Sequence, residues 1–146
     1  MVSIRPSRIE DKDALFVIWL SAVRATHDFL TESDIAFYAE QVRGSYLPQT
    51  EFLVAVDKAD QPVGFMGMSE TKIDALFVDP RRHGQGVGRA LIDHARHRSP
   101  FLEVDVNEQN PQARAFYKRL GFRETGRSEL DGSGRPFPLI HLVLAD

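Results

Sequence analysis

The chain has no cysteine among its 146 residues. Disulfides, an acyl-cysteine intermediate and a thiolate metal site are thereby excluded. It also lacks an apolar run of about 18 residues, the length at which a segment reads as a membrane-crossing helix. The opening Met1-Val2-Ser3-Ile4-Arg5-Pro6 has no extended apolar core of the signal-peptide kind. The expected setting is the cytoplasm, with no membrane partner. A net charge of −3 gives no reason to expect a nucleic-acid partner. Repeats, linkers and low-complexity stretches are absent too. With 42% hydrophobic and 27% charged residues, the expectation is a single domain over 1–146 that supports its own core.

What is present centres on Gly84-Gln85-Gly86-Val87-Gly88, between an expected strand and an apolar helix starting near Val87. Glycines at a helix start let the backbone approach a bulky anion, and the N–H groups of the first turn can donate to it. The pattern suits a pyrophosphate. Arg89 stands where a dinucleotide fingerprint needs its third glycine, and no Gly-Lys-Ser/Thr follows to make a P-loop. Arg81, Arg82, Arg89, Arg96 and Arg98 surround the loop and suit a polyanion, although Arg96 and Arg98 read better as a solvated helix face.

A second segment runs Asn107-Glu108-Gln109-Asn110-Pro111 through Phe116-Tyr117 to Gly121-Phe122. Asn110 suits an N-cap and Pro111 the first helical position. Ala113, Phe116, Tyr117 and Leu120 share one helical face, with Gly121 as the stop. On spacing alone, Phe116 and Tyr117 both read as core.

The remaining chain reads β-α-α-β-β-β-α-β-α-β-β. The first strand is expected over Val2–Arg5, with a capping box at Ser7–Glu10. Ala14, Leu15, Ile18, Trp19, Ala22 and Val23 form a buried helical stripe. Thr31 or Ser33 opens a helix whose face runs through Ile35, Tyr38, Ala39, Val42 and Tyr46. Strands follow at Phe52–Val56, Val63–Met68, Lys72–Val78 and Leu102–Val106, and Phe122–Leu130 pairs with Phe137–Leu144.

The frames Arg81-x-x-Gly84-x-Gly86 and Asn110-x-x-Ala113-x-x-Phe116-Tyr117-x-x-x-Gly121-Phe122 together resemble the two signatures of the GNAT acetyltransferase superfamily. The resemblance covers essentially the whole chain. It implies an α/β (α+β) GNAT fold with a mixed, mostly antiparallel sheet of about seven strands and four helices. A cleft for acetyl-CoA is implied between splayed central strands, here Lys72–Val78 and Leu102–Val106. Backbone groups of Leu76, Phe77 and Val78 would carry the pantetheine arm. Those of Gly84, Gln85, Gly86, Val87 and Gly88 would carry the pyrophosphate, with Arg81 and Arg89 nearby and Asn110 reaching in from the other wall. Tyr117 would stand beside the thioether sulfur as proton donor.

No cysteine being available, direct attack by an amine in a ternary complex is the expected mechanism. A lysine-like amine with a pKa near ~10.4 has to lose a proton first. Asp74 and His27 are the leading bases, with Glu103, Asp105 and His141 behind them. The plain alternatives are a solvent-facing strand carboxylate for Asp74 and a loop histidine bonded to Asp28 or backbone for His27. No metal site is expected, since His94 and His97 lack a third ligand.

Ala25–Leu30, Gln61–Met66, Asp74–Phe77, Val106–Asn110 and Thr125–Glu129 further resemble the bacterial YjaB-type peptidyl-lysine acetyltransferases. That implies a protein lysine as acceptor. A small-molecule amine (a polyamine, an amino acid or an aminoglycoside-like compound) and a non-catalytic acetyl-CoA sensor stay as alternatives. The state is expected to be monomer or homodimer.

Overall fold

The computed structural model describes residues 2–145. Seven strands form one sheet: β1 Ser3–Pro6, β2 Leu53–Val56, β3 Pro62–Ser69, β4 Lys72–Val78, β5 Leu102–Asn107, β6 Arg123–Ser128 and β7 Leu139–Leu144. Their order is β1-β2-β3-β4-β5-β7-β6. The β4–β5 pair is parallel, while β1–β2, β2–β3, β5–β7 and β6–β7 are antiparallel. The helices are α1 Lys12–Thr26, α2 Glu32–Gln41, the single turn α3 Leu47–Gln49, α4 Val87–Arg98 and α5 Pro111–Arg119. This is the mixed seven-stranded sheet with four substantial helices that the sequence leads one to expect. The described chain divides into two compact units. The first runs up to Gly67 and adds Ala75–His94, and the second joins Met68–Asp74 to the chain from Ala95 onward.

In the first unit, α1 buries Leu15, Ile18, Trp19, Ala22 and Val23, the stripe that its 3.6-residue period predicts. They pack with Ile35, Leu47, Phe52, Val54, Val56 and Phe65. Edge-to-face contacts link Tyr46 to Phe52 and Phe52 to Phe65, with centroids 5.1 and 5.3 Å apart. Gly67 makes this possible, because a Cβ there would lie 2.3 Å from the Tyr46 hydroxyl.

Two local expectations are corrected. The first capping box lies one residue later than read: the Asp11 carboxylate accepts from the Arg8 N–H at 2.7 Å, and a 3₁₀ turn Ile9–Asp11 precedes α1. Ser7 is drawn away because its hydroxyl accepts the Phe52 N–H at 2.9 Å. Asp11 is in turn fixed by the Arg5 guanidinium at 2.8 and 3.1 Å, whose hydrogen bonds hold its carboxyl below the ordinary range. The second helix does not run unbroken to Tyr46 either. Thr31 caps it as expected, accepting the Asp34 N–H at 3.1 Å, but α2 ends at Gln41. A π turn over Val42–Tyr46 follows, across Gly44 and Ser45, residues poor at holding a regular helix.

In the second unit, β5 and β7 alternate strictly. Leu102, Val104 and Val106 are buried with Ile140, Leu142 and Leu144. The intervening Glu103, Asp105 and His141 therefore lie on the opposite face. Asn110 caps α5, its side-chain oxygen accepting the Ala113 N–H at 3.2 Å, and Gly121 ends it with φ +101°. Both stand where the helix signals place them.

Candidate active site

β4 delivers Leu76, Phe77 and Val78 to its C-terminal end within the first unit, all three half-buried. The Asp79 N–H closes the strand on the Val63 carbonyl at 2.9 Å. Asp79 then caps a 3₁₀ turn, Pro80–Arg82, through the Arg81 N–H. Hydrogen bonds from Arg81 hold the Asp79 carboxyl below its usual range, the Nη2 contact being 2.8 Å. Arg82 is tied to Asp57 at 3.2 Å. Both arginines at the loop entrance thus brace it, and the Arg81 side chain remains largely exposed.

The glycine loop follows in the same unit. Gly84 and Gly86 have φ of +78° and +83°, the left-handed region that glycine enters without a Cβ penalty. A Cβ on either would meet nothing within 4 Å, so this backbone faces open space. The α4 ladder begins with the Ala90 N–H on the Gly86 carbonyl at 3.0 Å. That places the N–H groups of Val87, Gly88 and Arg89 ahead of the ladder, with the positive end of the helix dipole. Val87 is buried and anchors the turn: a Cβ on Gly64 of β3 would lie 2.9 Å from its Cγ1. An anchored, open turn of backbone donors fits a diphosphate. The exposed Arg89 pairs loosely with Asp93 at 4.0 Å, and Gln85 Nε2 reaches the Arg81 carbonyl at 3.4 Å.

His27 also belongs to the first unit, at the C-terminus of α1. Its Nδ1 lies 2.8 Å from the Thr26 hydroxyl, which itself donates to the Ala22 carbonyl at 2.7 Å. The single hydroxyl proton being used there, Nδ1 carries the hydrogen and donates to Thr26. The partner is thus neither Asp28 nor backbone. Burial pushes the imidazole down to about 4, leaving it neutral at pH 7 but weakly basic. The sign follows: between about 4 and the unfolded value near ~6.5 the unfolded chain binds the extra proton. Stability should fall on acidification through that window. Denaturant titrations from pH 7 to 4 should show the slope reduced in His27→Gln. An equal slope in both proteins refutes this reading.

Asp74, Asn110 and Tyr117 lie in the second unit. Asp74 is an exposed strand residue that accepts from Ser69 Oγ. The buried Asn110 commits its side-chain oxygen to its cap. Tyr117 is 5% exposed and Phe116 is half-buried, so of the two neighbouring aromatics the tyrosine is the more buried. Its ring meets Phe116 and Phe122 edge-on, 5.0 and 5.2 Å between centroids. Its hydroxyl has no hydrogen-bond partner among the described residues. Burial raises the phenol above its ordinary range, so it stays protonated at neutral pH.

Four side chains that sequence reasoning ranked low or left out meet in the second unit. Asp105 accepts from His141 Nδ1 at 2.6 Å and from Lys72 Nζ at 2.8 Å, and His141 Nε2 lies 2.7 Å from Ser128 Oγ. Burial works against the Asp105 charge, but the hydrogen bonds from His141 and Lys72 outweigh it and hold its carboxyl below the usual range. The same contact to Asp105 raises Lys72. Ser128 could not be picked out beforehand, because its closeness to His141 depends on β7 lying between β5 and β6.

Residues 26–137 match the acetyltransferase (GNAT) domain family. The chain is 50% identical over 143 residues to the peptidyl-lysine N-acetyltransferase YjaB of Escherichia coli, covering 98% of this chain and 97% of that protein. It is 28% identical to the peptidyl-lysine N-acetyltransferase YiaC of the same organism, over 82% of each. The solution structure of apo-form YjaB superimposes with a TM-score of 0.93 at 49% identity, over 99% of this chain and 97% of that one. Half the residues are shared along nearly the whole length, and the glycine turn keeps the open backbone a diphosphate needs. The chain belongs to the GNAT acetyltransferase family, with acetyl-CoA as its cosubstrate.

Proposed function

We propose that this enzyme transfers the acetyl group of acetyl-CoA to the side-chain amine of protein lysines in the cytoplasm. The observation that carries the acceptor is the near-full-length identity to a peptidyl-lysine N-acetyltransferase. Fold similarity alone would give cofactor and reaction but not acceptor, because acceptor choice depends on loops that the shared motifs leave free.

In this reading the backbone N–H groups of Gly84, Gly86, Val87 and Gly88 receive the pyrophosphate, flanked by Arg81 and Arg89, while the Gln85 N–H, which donates to the Arg82 carbonyl at 3.3 Å, shapes the turn. Leu76, Phe77 and Val78 offer strand-edge backbone to the pantetheine arm, much as a sheet accepts an added strand. The Asn110 amide supplies a further donor. Acetyl-CoA, when bound, supplies an activated thioester. Tyr117 donates a hydrogen bond to the departing sulfur, and its protonated state at neutral pH suits that role. Asp74 and His27 remain the bases expected from sequence. The low basicity of His27 weighs against it, and the exposed position of Asp74 suits reception of an ammonium group.

Thiol release from acetyl-CoA tests the acceptor, measured in parallel against lysine peptides, polyamines, amino acids and aminoglycosides, with mass spectrometry of the peptides. A product heavier by one acetyl group on a lysine side chain is expected, with small amines turned over at least about tenfold more slowly. Faster turnover of a free polyamine or an aminoglycoside overturns the lysine acceptor. Cofactor binding without turnover of any amine points to a sensor instead.

A further inference from the structure

One cluster of titratable and hydroxyl side chains in the second unit has a directional order. Asp105 on β5 stands opposite His141 on β7, and β6 brings Ser128 to the far side of the imidazole. Asp105 is held as an acceptor by Lys72, so His141 Nδ1 carries a hydrogen and Nε2 is the nitrogen that exchanges protons. When the imidazole is neutral, Nε2 accepts the Ser128 O–H. When it is charged, Nε2–H donates to the same oxygen at the same 2.7 Å separation. Both protonation states keep every hydrogen bond in the chain, so a proton can pass without the side chains moving.

The surroundings suit a cation. Lys72 and Asp74 alternate along β4, and Glu103 and Asp105 along β5, with Lys72 in register with Glu103. Three carboxylates and one ammonium from β4 and β5 therefore share the sheet face on which His141 lies, together with Arg123 of β6, which is in register with Val143. Thr71 Oγ1 bonds Glu103 at 3.1 Å. His141 and Asp105 retain 35% and 23% side-chain exposure, so solvent and substrate can reach the chain.

We propose that Asp105, His141 and Ser128 form the proton relay that accepts the proton an acceptor lysine must lose before it attacks the acetyl group. This rests on the lysine reading above. The ammonium N–H bond breaks as an O–H bond forms at Ser128, while the original Ser128 proton passes to His141 Nε2. The amine is left neutral, the imidazole becomes a cation stabilised by Asp105, and serine ends unchanged. Lys72 holds the second Asp105 oxygen and so positions the relay.

Although this order of groups resembles that of a serine nucleophile, such a residue also needs donors poised for an oxyanion. Ser128 instead sits in the β6–β7 ladder, in register with Leu139. The hydroxyl therefore conducts a proton and does not take the acyl group.

The test compares His141→Gln, His141→Ala and Ser128→Ala with the native enzyme, using acetyl-CoA and a lysine peptide. With acetyl-CoA affinity unchanged by calorimetry, kcat should fall about 100-fold in His141→Gln, in the range of general base loss. Ser128→Ala should lose about tenfold, and added imidazole should restore part of the His141→Ala rate. The acidic limb of the native pH–rate profile should be missing from His141→Gln. Imidazole rescue separates proton transfer from a structural role. If His141→Gln does not fold, Ser128→Ala alone decides. A variant within threefold of native kcat, or an acetyl group found on Ser128, overturns the relay while leaving the lysine reading intact. A native enzyme inactive on every lysine peptide overturns both.

Discussion

Replacing Gly86 by valine is expected to weaken acetyl-CoA binding by at least about 100-fold, or roughly 2.7 kcal/mol, in a protein that stays folded. Gly86 has φ +83° and a Cβ there would touch no neighbouring atom within 4 Å, so the change meets no steric obstacle inside the fold. Two effects act on the ligand instead. A β-branched residue resists the left-handed conformation, at a cost on the order of 1–3 kcal/mol, and tends to turn the loop out of it. Any side chain at that point also fills the space where an anion must approach the backbone. The buried Val87 keeps α4 in place meanwhile. Gly134→Val is the matched control, since that exposed glycine has a φ of +76°, is equally unobstructed and lies in the β6–β7 connection. Calorimetry should give native affinity for the control and almost none for Gly86→Val. Native affinity in a folded Gly86→Val protein refutes the proposed pyrophosphate site.

Tyr117→Phe is expected to lower kcat by about 100- to 1,000-fold, the range for losing one donor aimed at developing charge. Acetyl-CoA affinity should stay within about twofold of native. Because burial raises the phenol further above a thiol reference near ~8.5, full proton transfer to the leaving sulfur is uphill. In the proposed reaction the residue therefore acts as a hydrogen-bond donor, and the sulfur would take its proton from solvent afterwards. The substitution keeps both ring contacts and removes a hydroxyl that has no partner among the described residues. Thermal stability should consequently be unchanged or slightly raised. A fall in kcat together with native stability identifies chemistry. Full activity removes the donor role from Tyr117.

These expectations draw on features of unequal legibility. Both helix starts that matter to the family signatures could be read directly. Asn110-Pro111 is a cap followed by a residue with no N–H to satisfy, and Gly84 and Gly86 hold φ values that other residues enter only with strain. The α1 stripe and the β5 and β7 alternations were legible for a similar reason, since a 3.6 or 2.0 period records directly which face is buried. The Ser7 box failed because the hydroxyl had a backbone partner 45 residues away, the Phe52 N–H just before β2. The α2 stripe was right about its face and wrong about continuity. Packing held Tyr46 against the core while the backbone widened into a π turn.

By itself, then, the sequence determined the element order, the buried faces, the open glycine turn and the family, because each is written in local spacing. Tertiary structure alone decided which polar groups meet. It bonded His27 to Thr26 and buried its ring until the base became weak. It left Asp74 exposed on its strand. Most of all, it placed β7 between β5 and β6, so that Asp105, His141 and Ser128, far apart in the chain, lie in one hydrogen-bonded row. Strand order is a global outcome of packing, and no spacing along a single strand records it.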